Sequence, residues 1–83
     1  MLNLGAPAVY ALAASRENSN SELVWEIQEY ADMMRVMTDE KDRAAEHAAV
    51  ILFNLHTFLV KNHISFEDVE EAFGRLGVPL AEE

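Results

Sequence analysis

Residues 44–60, AAEHAAVILFNLHTFLV, limit what this chain can fold into more than any other stretch, being too apolar for a surface and too short for a bilayer. On a helix, Ala44, Ala45, Ala48, Ala49, Ile51, Leu52, Phe53, Leu55, Phe58, Leu59 and Val60 cover roughly 220° of the circumference at ~100° per residue, about twice the usual amphipathic arc. Such a helix needs neighbours on two sides. Its one wettable stripe runs Arg43, His47, Val50, Asn54, Thr57 and Lys61 in steps of three and four, with Glu46 beside it, and reads as the solvent side.

The 83 residues make one domain, and a chain this short hides only about 60% of its unfolded surface, so a second copy is expected to complete the core as a homodimer. No cysteine is present, which removes disulfides and thiolate metal sites as supplements. The expected fold is all-α: a small bundle of three to four helices, with two long antiparallel helices, a short N-terminal helix or arm and a short C-terminal helix.

In chain order, residues 1–15 form an uncharged apolar segment, with Pro7 suited to the first turn of a helix over 7–15. The segment lacks the basic start of an export signal, and its apolar run is far below the ~20 residues a membrane span needs. A cytoplasmic protein without membrane contact is expected. Residues 16–21, RENSNS, form a polar linker, and Ser19 with Glu22 has capping-box spacing. A helix over 21–37 follows, with Leu23, Ile27, Tyr30, Met34 and Met37 as its packing seam. Thr38 or Asp39 is the expected N-cap of a central helix over 39–62, with Asp39, Glu40 and Asp42 favouring its positive end. Ser65 and Asp68 then supply a second capping box, and Ile64 and Val69 a hydrophobic staple. The last helix, 66–76, offers Phe66, Val69, Phe73 and Leu76 to the core and stops at Gly77 and Pro79.

A formal charge of −9, with only six scattered Lys and Arg, argues against direct nucleic-acid binding and for a protein partner with a basic surface. The histidines at 47, 56 and 63 lie nine and seven residues apart, too far along one helix to chelate a metal together. They read as structural, His56 as a buried, hydrogen-bonded imidazole. No Gly-rich phosphate loop is present, and the serines fall at caps and linkers.

Glu26 and Glu29 form an E-x-x-E pair, and two carboxylates one turn apart can share Mg²⁺. This pair, the Ala-rich apolar helix and HAAVILFNLHTFLVKNHISFEDVEEAF at 47–73 together resemble the helix pair of the all-α nucleotide pyrophosphohydrolases, the MazG-like and phosphoribosyl-ATP pyrophosphohydrolase families. The resemblance covers residues 26–73 and implies a Mg-dependent hydrolase whose second acidic pair opens the apolar helix. Those positions fall on His47 and Val50, or one residue away on Glu46 and Ala49, so the implied enzyme is degenerate and Glu26 and Glu29 would be its surviving ligands.

Trp25 points nearly opposite the side of Ile27 and shares its stripe with Glu22, Glu29, Asp32 and Val36. Tryptophan is enriched among the few residues that dominate interfaces, and this one has an acidic rim. The competing expectation is that residues 1–15 fold over it. The leading reading is a non-catalytic acidic protein, without cofactor or metal, that binds another protein and modulates its activity, as inhibitors, antitoxins, anti-activators and phage-type host-takeover proteins do. A degenerate pyrophosphohydrolase is the alternative and a nucleic-acid mimic the third reading.

Overall fold

The computed structural model describes residues 8–36 and 40–78, with the side chain of Ala8 left aside. Over that range the chain is all-α: α1 (Ala8–Glu17), α2 (Asn20–Met33) closed by a 3₁₀ turn (Met34–Val36), α3 (Lys41–Lys61) and α4 (Phe66–Leu76). No strand occurs among the described residues. None of the described helices is long and apolar enough to cross a membrane.

Local chemistry sets most of these limits. At the start of α2 the Ser19 hydroxyl accepts from the Glu22 N–H at 3.1 Å, and the Glu22 carboxylate accepts from the Ser19 N–H at 3.0 Å. Ser65 and Asp68 do the same for α4, at 3.1 and 2.9 Å. Each box satisfies two backbone donors that the first helical turn would otherwise leave open. α3 differs, since Glu40 is its N-cap and makes no side-chain cap bond. The expected caps Thr38 and Asp39 lie outside the described residues, as do Met37, Pro7 and Pro79. The helix expected over 21–37 runs from Asn20 and tightens to 3₁₀ geometry after Met33, because the chain is leaving the helix there.

Both α3 and α4 end in the same motif. Past α3, the Ile64 N–H bonds the Leu59 carbonyl at 2.9 Å and the His63 N–H bonds that of Val60 at 3.3 Å; past α4, Val78 and Gly77 bond Phe73 and Gly74 at 2.9 and 3.2 Å. These paired bonds close a helix through one left-handed residue. That residue is Gly77 (φ 74°) after α4, where the conformation is free of strain, but His63 (φ 57°) after α3.

α3 packs against α1 and α2, while among the described residues α4 makes no extended packing with another helix. Asn20, at the start of α2, exchanges two side-chain hydrogen bonds with Asn62, at 3.1 and 2.9 Å. Tyr30, near the other end of α2, lies 5.0 Å from the ring of His47. The Lys61 ammonium donates to the Ser15 carbonyl of α1 at 3.1 Å. Leu23 of the expected α2 seam is fully buried, with Ile27, Tyr30 and Met34 half-buried beside it.

Two readings of the packing are overturned. The stripe read as the solvent side of α3 faces the core: Thr57 is 0% exposed, Asn54 is buried, and His47, Val50 and Lys61 are half-buried. Hydrogen bonding makes this burial tolerable. His47, Asn54 and Thr57 each bond the carbonyl four residues back, on Arg43, Val50 and Phe53, at 2.7, 2.8 and 2.8 Å. The polar groups therefore enter the interior already partnered, and Ala11 and Ser15 of α1, which packs on α3, are buried as well. The cost falls on the other side, where Leu52 (39% exposed) and Leu55 (38%) face outward. The second correction concerns α4, whose Phe66, Val69 and Phe73 are only half-buried and whose Leu76 is exposed, because α4 has no helix lying along it.

Candidate functional site

The outer face of α2 carries two open grooves beside Trp25. Leu23 turns one side of the helix into the core, and at ~100° per residue this sends Trp25 away from it. The indole is 64% exposed. The part of residues 1–15 that is described does not act as its lid: α1 packs on α3 instead. A groove of about 600 Å³ opens on one side of Trp25, lined by Gln28, Glu29, Ala31, Asp32 and Arg35. A second, of about 460 Å³, opens on the other side between Asn18, Ser21, Glu22 and Glu26. A flat aromatic ridge with a depression on either side is thus bordered by four carboxylates.

The charges on this face are not all free. Asp32 pairs with Arg35 at 3.2 Å, an exposed contact that contributes little to stability yet places one positive charge inside the acidic rim. The Glu22 carboxyl is held below the usual carboxylate range, chiefly by the backbone N–H of Ser19 and then by its hydroxyl, so it remains ionised through mildly acidic pH. Glu29 stays exposed, and Val36 at the end of the stripe is exposed in the 3₁₀ turn. The stripe Glu22, Trp25, Glu29, Asp32, Val36 is therefore surface throughout.

The residues implied by the hydrolase resemblance do not converge. Glu26 is half-buried and lines both the second Trp25 groove and a groove of about 380 Å³ with Asn18, Ala49, Val50, Phe53 and Asn54, whereas Glu29 opens into the first Trp25 groove. His47 is occupied by the Arg43 carbonyl and the Tyr30 ring, and Glu46 and Ala49 are exposed. Among the described residues no three His, Asp or Glu side chains are grouped as a metal ion would require. His56 is buried as expected, 5.0 Å from the Phe66 ring, but among the described residues its Nδ1 has no hydrogen-bond partner, so at that nitrogen the ring departs from the bonded imidazole the sequence suggested.

Sequence reasoning singled out Trp25 and its acidic neighbours but missed Ser21, Gln28 and Arg35 as walls of the two grooves. The signal was available. Ser21 and Gln28 stand four residues before and three after Trp25, the spacings at which helical side chains are neighbours.

No known protein family matches the chain, and neither a curated protein nor a solved structure does. The likeness to the pyrophosphohydrolases gains no support from these comparisons. The class established is that of a small all-α protein.

Proposed function

We propose that this is a non-catalytic cytoplasmic protein that binds a basic protein partner through the outer face of α2 and alters the partner's activity. The observation that carries the reading is the exposed Trp25, set between two open grooves and bordered by Glu22, Glu26, Glu29 and Asp32. A large aromatic desolvated in the centre of a contact supplies most of its free energy, while a charged rim governs encounter rate and partner choice. The reading takes α2 and α3 as an antiparallel pair, with α3 as the rigid backing and α2 as the presenting helix.

The test begins with affinity capture and mass spectrometry to obtain the partner, followed by titration with variants. Trp25→Ala is expected to weaken binding by about 2 kcal/mol or more and to leave the melting temperature nearly unchanged, since the indole is mostly in water already. Reversing Glu29 and Asp32 to lysine should slow association and flatten its salt dependence. Unchanged affinity in a folded Trp25→Ala protein would remove the assignment.

A further inference from the structure

The groove of about 380 Å³ between α2, α3 and the residue that follows α1 differs in kind from the two beside Trp25. Its volume lies near the lower end for small-molecule sites, about 300–1,000 Å³. Ala49, Val50 and Phe53 of α3 make an apolar wall, and Asn18, Glu26 and Asn54 bring one polar side chain from each bordering element. Asn54 is only 6% exposed. Its side-chain NH2 donates to the Val50 carbonyl at 2.8 Å, and that of Asn18 donates to the Ala14 carbonyl at 2.9 Å. A carbonyl can only receive, so each bond fixes the nitrogen end of its amide and leaves Oδ1 as the other end. Among the described residues no donor meets either Oδ1 or the carboxylate of the half-buried Glu26. The enclosed side-chain atom without a partner is His56 Nδ1, so the Asn54 Oδ1 is open to solvent, through the groove that its residue lines.

From this lining we infer that the groove binds a primary ammonium on a short aliphatic stem, carried by a free amine or by a lysine side chain. An ammonium has three N–H donors and no acceptor, which matches three oxygens held by three different elements. One of the three is a carboxylate, and hydrogen bonds between charged groups are the stronger kind. No described Lys or Arg pairs with Glu26, so the cation would supply the partner that a half-buried carboxylate lacks. Ala49, Val50 and Phe53 give the CH₂ stem a surface to cover. An anion finds no positive charge among the lining residues. A guanidinium fits less well, because its five donors lie in one plane. Mg²⁺ would meet a single carboxylate and an apolar wall in place of the oxygen ligands and water it prefers.

The assignment does not rest on the Trp25 reading, although Glu26 borders both grooves. The whole chain is titrated with n-pentylamine and followed by amide NMR. Saturation is expected below about 10 mM, a range within reach of so few ligand atoms, with shifts gathered on Glu26, Ala49 and the side-chain NH2 groups of Asn18 and Asn54. Glu26→Gln keeps the shape and removes the charge, and should weaken binding by at least about 10-fold. Trp25→Ala should leave it unchanged, which separates this site from the outer face of α2. Two comparisons need no variant: n-pentanol has the stem without the charge and tetramethylammonium the charge without N–H, and each should bind at least about 10-fold more weakly. Nα-acetyl-lysine methylamide distinguishes the sources. Affinity equal to or above that of pentylamine assigns a lysine side chain, and weaker binding a free amine. The proposal is overturned if neither amine saturates, if a folded Glu26→Gln chain or the pentanol comparison shows equal affinity, if the shifts gather elsewhere, or if Mg²⁺ displaces the amine from these residues.

Discussion

The two sides of α3 invert the usual relation between residue type and burial. Thr57 and Asn54 are buried on one side, while Leu52 and Leu55 lie open on the other. What separates them is less polarity than self-sufficiency and size. A threonine or asparagine that bonds its own helix four residues back brings no unmet polar group into the interior, and it leaves room for a neighbouring backbone. The inner side thus admits polar side chains that carry their own hydrogen-bond partners, and Leu52 and Leu55 are left on the outer side.

Four substitutions test this account. The largest effect is expected for Leu23→Ala, which removes a fully buried side chain from the inner packing and should cost about 2–5 kcal/mol in chemical denaturation. Thr57→Leu tests the role of size directly. It adds bulk where none is exposed and should destabilise by about 1–3 kcal/mol, although the change is apolar; a gain in stability would contradict the account of the inner side. On the outer side, Leu55→Ser should cost less than either, about 1 kcal/mol in the same denaturation, since the side chain is already 38% exposed. The smallest effect concerns acid. The Glu22 carboxyl has a lowered pKa in the folded chain, so its contribution is fully present above its ordinary value of 4.5 and is lost as pH falls through the lowered value. Glu22→Gln should therefore flatten the acid limb of a pH and melting-temperature profile while changing it little near neutrality.

The helices themselves were legible because their boundaries rest on short-range chemistry. Ser19 with Glu22, Ser65 with Asp68, and Gly77 each mark an end through bonds within a few residues, and α4 occupies the expected 66–76. The direction of Trp25, away from Leu23, was legible from angular position, whereas its exposure was not, because residues 1–15 offered an apolar cover that α1, packed on α3, does not supply. The grooves beside it were not, since their depth depends on how Asn18, Gln28 and Arg35 are arranged in space. Orientation of α3 was misread for a related reason. Its apolar residues surround so much of the axis that they indicate no single direction, and a count of polar side chains cannot register bonds made back to the same helix.

His63 gives the region after α3 a mechanical character. A left-handed histidine holds the chain at a fixed bend between α3 and α4, and beyond the first turn α4 has no neighbouring helix lying along it to correct its course. One backbone torsion thus aims α4 as a bracket aims a lever, and any other torsion at residue 63 would have to break the contact of Phe66 with His56 and uncover the half-buried Val69 and Phe73.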